Sequence, residues 1–311
     1  MRQSLTSLNT RLNVRFASKE EGQQLVLGNT QYYNRLTQMD IDWRARKQGA
    51  TLEELISFAQ DQVLDFTQEE MDVVMKSVHF IERRLDELGC QLPLPNEIVF
   101  VKGTMKDESN AYAYTTGNMI FLKAGLVEHY AAVVKIAPYK AIGFHILITH
   151  ELFHCITRHS PEFRQKMYAL IGFTVMDHDI EFPEHVRAVT MANPDVNHTD
   201  NYAEFTVNGE KRNCALLSIY SRSWAEAFAL QGPSASFFRN IATMLVPLDD
   251  LNSPFDIDEV SDFWDKMGRN TSYVAAPEEC LADNFSYAIV YGLDGDYESP
   301  QLIEAILEAL K

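Results

Sequence analysis

His150, Glu151, Leu152, Phe153 and His154 form an H-E-x-x-H stretch. Residues i and i+4 share one face of an α-helix, so two imidazoles at this spacing can aim at one cation, with a carboxylate beside the open coordination position. That arrangement suits a catalytic zinc. The competing reading, a pair of ordinary helix histidines, predicts no further ligand. A catalytic zinc takes three protein ligands and keeps a fourth position for water, so a third His, Asp or Glu must come from elsewhere. The extended register with Gly and His three and six residues past the second histidine is absent: Thr157 and Ser160 stand there, and His159 is one place out.

A second helix offers the missing ligand. Pro277 suits a first helical position, Glu278 and Glu279 fall in the first turn, where the helix dipole favours acids, and Glu279 and Asp283 are i, i+4 neighbours. This makes Glu279 the third zinc ligand and Asp283 the carboxylate that accepts the outer N–H of a ligand histidine, fixing its tautomer. Leu281, Ala282 and Phe285, then Ala288 and Val290, favour a buried helix over a solvated acidic face. The long stretch between His154 and Glu279 implies an insertion, with Glu278 and the Asp177, His178, Asp179 cluster as alternative ligand sources.

Together, H-E-x-x-H and a later E-x-x-x-D resemble the gluzincin metallopeptidases. Upstream, Asn110, Ala111 and Tyr112, then residues 118–122, then Gly125, Leu126 and Val127 resemble the Asn-Ala segment, edge strand and helix start that precede the zinc helix in M48-type zinc peptidases. The resemblance implies an α+β, mostly helical zincin-like fold, with a small sheet beside the zinc helix and an inserted β-hairpin region. It implies one Zn2+ per chain and places Asn110 and Ala111 along the substrate cleft. The expected activity is hydrolysis of a peptide or protein substrate by a metal-activated water, with Glu151 as general base. The alternative is a catalytically inactive or regulatory zinc-binding relative acting as a protein-interaction module.

Such chemistry also needs a donor aimed at the developing oxyanion. Asn208-Gly209, flanked by residues 202–207 and 211–220, signals a hairpin that could carry His198 or Tyr202 to the metal; the plainer role for both is as loop polar residues. Substrate is expected along the strand at 119–122, since an extended peptide can add to an exposed sheet edge.

These residues need a frame. Residues 141–158 lack proline and carry Phe144, Leu147, Ile148 and Leu152 at three-four spacing, which predicts the helix the motif requires. Helices are also expected over 52–66 and 68–88, the second opened by a Thr67/Glu70 capping box, and over 161–170, 256–267, 278–291 and 300–310. Pro93, Pro95 and Asn96 precede a strand at 97–102, dividing an N-terminal helical region, 1–95, from a catalytic domain, 96–311, with an insertion at about 172–250.

At 311 residues and 46% hydrophobic content the chain can bury a proper core. Its formal charge of −17 argues against nucleic acid and anionic membrane as partners, and favours basic peptides or simple solubility. No stretch reaches the ~18 apolar residues of a membrane-spanning helix. Residues 1–20 lack an apolar export core, and Cys90, Cys155, Cys214 and Cys280 show no paired spacing. A cytoplasmic protein with reduced thiols is expected, a trimmed export signal being the alternative.

Overall fold

The structure, a computed structural model, describes residues 11–311. The export-signal expectation concerns residues 1–20, half of which lie outside the described residues. From the N-terminal side come β1 (Val14–Phe16), α1 (Lys19–Leu27), α2 (Thr30–Tyr33), α3 (Gln38–Ala45), α4 (Leu52–Asp61), β2 (Val63–Leu64) and α5 (Gln68–Leu88). Capping boxes start α3, α4 and α5: Thr37, Thr51 and Thr67 each accept a backbone N–H three residues on, and Asp40, Glu54 and Glu70 return the bond.

Three further strands, β3 (Ile98–Gly103), β4 (Ala113–Thr116) and β5 (Met119–Lys123), join β1 in the order β1–β3–β5–β4, with β2 also paired to β3. Pairing of Val63 with Gly103 ends the helix expected over 52–66 at Asp61. Both faces of this sheet are covered, which is why β3 opens with the apolar run Ile98, Val99, Phe100 and Val101. Ile98, Phe100, Ile120 and Leu122 face a core shared with α5, while Val99, Val101 and Phe121 face Val26 of α1 and Ala59 of α4. The strand expected to receive substrate, at 119–122, is β5, and it is interior, paired with β3 on one side and β4 on the other. The two-residue reversal between Thr116 and Met119, with Gly117 at φ +57°, folds β4 back outside it, so β4 is the edge.

Next come α6 (Ala124–Ile136), α7 (Ile142–His159) and α8 (Pro161–Leu170). Ser160 closes α7 and caps α8, whose first residue is Pro161. An inserted antiparallel sheet follows, built from β6 (Phe173–Val175), β7 (Asn201–Val207), β8 (Glu210–Tyr220), β9 (Ile241–Pro247) and β10 (Phe255–Asp256) in the order β10–β9–β8–β7–β6, with α9 (Glu184–Arg187) and α10 (Trp224–Gln231) on its connections. Asn208 and Gly209 both take positive φ, as the β7–β8 turn requires. Along β8, Cys214 and Leu216 enter the main core, whereas Ala215 and Leu217 join a smaller cluster with Phe182 and Val186. The helix expected over 256–267 shrinks to α11 (Phe263–Met267), because Phe255 and Asp256 pair with β9 and Val260 bridges to Val207. Then α12 (Pro277–Tyr291) and α13 (Pro300–Ala309) complete the core around α7. Among the described residues no helix is long and apolar enough to cross a membrane, and the four cysteines are buried and unpaired.

One buried cation ties the N-terminal helices to the insertion. Arg44 of α3 donates to Asp40 at 3.0 Å, to Glu108 at 2.9 Å, to the Tyr220 hydroxyl at 3.1 Å and to the Ala192 carbonyl at 2.6 Å. Removing it strands two buried carboxylates. Arg44→Ala should lower the unfolding free energy by about 3–5 kcal/mol, read from urea denaturation; a loss below about 1 kcal/mol would mean the cluster carries little.

Candidate metal centre

Two helices build the site. The i, i+4 spacing on α7 turns His150 and His154 to one face, with ring centroids 4.8 Å apart, and the first turn of α12 sets Glu279 opposite them. Glu279 Oε2 lies 3.2 Å from His150 Nε2 and 3.5 Å from His154 Nε2. Their ligand atoms all fall within 4.8 Å of one another, and all three residues are buried. This group is close enough to hold a metal ion.

The outer nitrogens are fixed by carboxylates. His150 Nδ1–H donates to Asp283 at 2.8 Å, and His154 Nδ1–H donates to Glu278 at 3.2 Å. Each carboxylate is itself braced: Thr271 donates to Asp283, and Thr157 and Tyr168 donate to Glu278. Such bonds set the tautomer that leaves each Nε2 lone pair facing the centre. Glu278 thus serves His154 as Asp283 serves His150, one residue before Glu279.

Whether a cation fits can be tested on unsatisfied atoms. His154 Nε2 and Glu151 Oε2 are buried with no hydrogen-bond partner, which is rare for buried polar atoms. A cation among His150, His154 and Glu279 would take up the first, and a water held beside it the second. The proton affinities agree. Burial resists charge on His150, yet Asp283 and then Glu279 lift its pKa to about 10. His154 is likewise raised well above the imidazole range, against burial, by Asp195 and Glu279. Burial would raise Glu279, but His154 and His150 hold it below the usual carboxylate range. Burial and then Asp195 push Glu151 up to about 8. The surroundings favour positive charge.

A cavity of about 740 Å³ opens onto His150, Glu151 and Glu279. Asn110 and Ala111 line it, and Ser109 and Asn110 hold the left-handed backbone that turns this segment into the mouth, at φ +51° and +64°. Tyr273 lines it too, its ring 6.2 Å from that of His150. Desolvation of its hydroxyl, followed by the fields of Glu279 and Asp195, raises the pKa well above the usual phenol range, although the residue as a whole is 37% exposed.

The structure does not bring His198 or Tyr202 to this cavity. Tyr202 sits on β7 opposite Thr174, because alternate residues Ala203, Phe205 and Val207 claim the core face and pin the strand into the second sheet. His198 lies half exposed with Nδ1 3.6 Å from Asp179, beside a separate cavity of about 530 Å³ with Arg158 and Arg164. Asp177 and His178 are exposed and hydrogen-bond each other. Sequence reasoning missed Tyr273 and Asp195. Tyr273 had a weak signal, its position four residues before the helix that carries Glu279; Asp195 had none. No protein family, curated protein or solved structure matches the chain.

Zinc titration against a chromophoric chelator should give one tight site per chain. Affinity should fall by at least roughly 100-fold in His154→Ala and Glu279→Ala, and by about 10–100-fold in Glu278→Gln and Asp283→Asn. Unchanged affinity in Glu279→Ala would move the third ligand elsewhere.

Proposed function

We propose that this protein is a zinc-dependent peptidase that cleaves peptide bonds with Glu151 as general base, on a gluzincin-like, zincin-type arrangement of strand, zinc helix and glutamate helix. The observation that carries this reading is the convergence of His150 Nε2, His154 Nε2 and Glu279 Oε2 beside the unpaired Glu151 carboxylate, at the floor of an open cleft. Two imidazoles and one carboxylate, each imidazole backed by a carboxylate, make a donor set that suits zinc. When bound, zinc would polarise the substrate carbonyl and lower the pKa of a water.

The chain supplies the rest. Glu151 follows His150 on α7 and lines the cleft, so its free oxygen is placed to take a proton from the attacking water and pass it to the leaving amine. Tyr273 is the donor for the developing oxyanion. It reaches the cleft from the segment just before α12, its hydroxyl stays protonated, and it lies over the His150 ring. This replaces His198 and Tyr202 in that role. Edge strand β4 offers main-chain groups to an extended substrate, with Asn110 and Ala111 at its upstream end.

Glu151→Gln should keep zinc and fold while cleavage of a peptide library, followed by mass spectrometry, falls by roughly 10²–10⁴-fold. Tyr273→Phe should lower kcat by about 100-fold with KM nearly unchanged, since its bond forms with the oxyanion and not with the ground-state carbonyl. Activity retained in Glu151→Gln would sink the mechanism.

A further inference from the structure

We propose that the Asn193–Pro194–Asp195 turn is a built-in occupant of the substrate groove, lying where an extended peptide would run along β4 and moving aside before substrate binds. The proposal rests on the peptidase reading above and adds its regulation.

The edge strand carries the first observation. Thr116 faces Met119 across the two-residue turn and Tyr114 faces Phe121 two residues on, so these residues spend their backbone groups on β5, and the groups of Thr115 between them point outward. An added strand would pair with Thr115. Both of its backbone groups are instead taken from within the chain: Thr115 N–H donates to Asp195 Oδ1 at 2.6 Å, and its carbonyl accepts from Arg158 at 3.3 Å. Arg158 donates also to the Pro194 carbonyl at 3.0 Å, which clamps the turn to the strand. The Asp195 carboxylate therefore accepts the edge hydrogen bond that a substrate carbonyl would accept.

The same turn reaches the centre. Asn193 donates to Glu279 Oε1, and Asp195 offers an oxygen within 4.8 Å of ligand atoms of Glu151 and His154, each of which has one buried polar atom, Glu151 Oε2 and His154 Nε2, without a hydrogen-bond partner. Asp195 also lines both large cavities. One, of about 740 Å³, meets β4 at Ala113; the other, of about 530 Å³, meets it just past the strand at Gly117. The turn is thus the partition between two cavities that would otherwise form one groove along the strand.

Its anchors lie at its two ends. Ala192 is held by Arg44 and by Asp40, and Thr199 donates to Asp179 at 2.7 Å. Between them the turn is fastened to the site by side-chain hydrogen bonds, which can exchange for those of a substrate.

The test uses the full chain loaded with cobalt(II) and titrated with acetohydroxamate, read by visible absorption. In Asp195→Ala the probe should bind roughly tenfold tighter than in wild type, because the internal competitor is gone, with Asn193→Ala shifting the same way. Hydrogen exchange provides a readout on the wild type itself: saturating acetohydroxamate should speed exchange at Thr115 and over 193–197. Cobalt bound normally but probe affinity unchanged or weaker in both variants, with no change in exchange, would overturn the occupant while leaving the metal centre standing. A folded wild type that binds no cobalt would overturn the metal reading and this proposal with it.

Discussion

Two imidazoles and the carboxylates of Glu151, Glu278 and Glu279 are buried where α7 meets α12, and the rest of the site follows from making that burial tolerable. Isolated charge in a low-dielectric interior costs several kcal/mol, so each group needs a partner. The partners form a chain: Glu279 between the two imidazoles, Asp283 and Glu278 on their outer nitrogens, and Thr271, Thr157 and Tyr168 on those carboxylates. The apolar faces of both helices enclose it, with Phe153 and Phe285 in contact at 5.2 Å. What the chain of partners leaves over is one imidazole nitrogen, on His154, and one carboxylate oxygen, on Glu151, both buried. A metal centre needs that remainder.

The elements around this pair divide the remaining work. The first sheet holds β4 beside the cleft and is itself packed on both faces, by α5 on one and by α1 and α4 on the other. The second sheet, though inserted in sequence, shares the main core through Phe205, Leu216 and Leu245, so it is continuous with the frame that holds α7 and α12. The N-terminal helices also reach the site. Arg44 holds the Ala192 carbonyl, and the turn that begins there ends against Glu151 and His154.

What could be read from the chain was what is local. The helix that carries His150 and His154, the Thr67/Glu70 capping box, the Asn208-Gly209 hairpin and the Pro277 helix start each depend on residues within one or two turns, and each appears where its spacing places it. What could not be read was pairing between distant segments. That β5 is interior and β4 the edge is a matter of strand order, which the alternation of residues 119–122 does not encode. His198 and Tyr202 carry suitable chemistry, but their position depends on which face of β7 meets the core. Asp195 reaches the centre through a bond to Thr115, a residue eighty positions earlier, and no spacing rule connects them. The helix expected over 256–267 failed for a related reason, since Phe255 and Asp256 pair with β9.

The central claim is that one cation is held by His150, His154 and Glu279, and X-ray absorption at the zinc edge of protein loaded with one equivalent addresses it directly. The account predicts four or five nitrogen and oxygen neighbours at about 2.0–2.1 Å, with the outer-shell scattering of two imidazole rings. A sulfur neighbour at about 2.3 Å, or a spectrum without imidazole scattering, would contradict it.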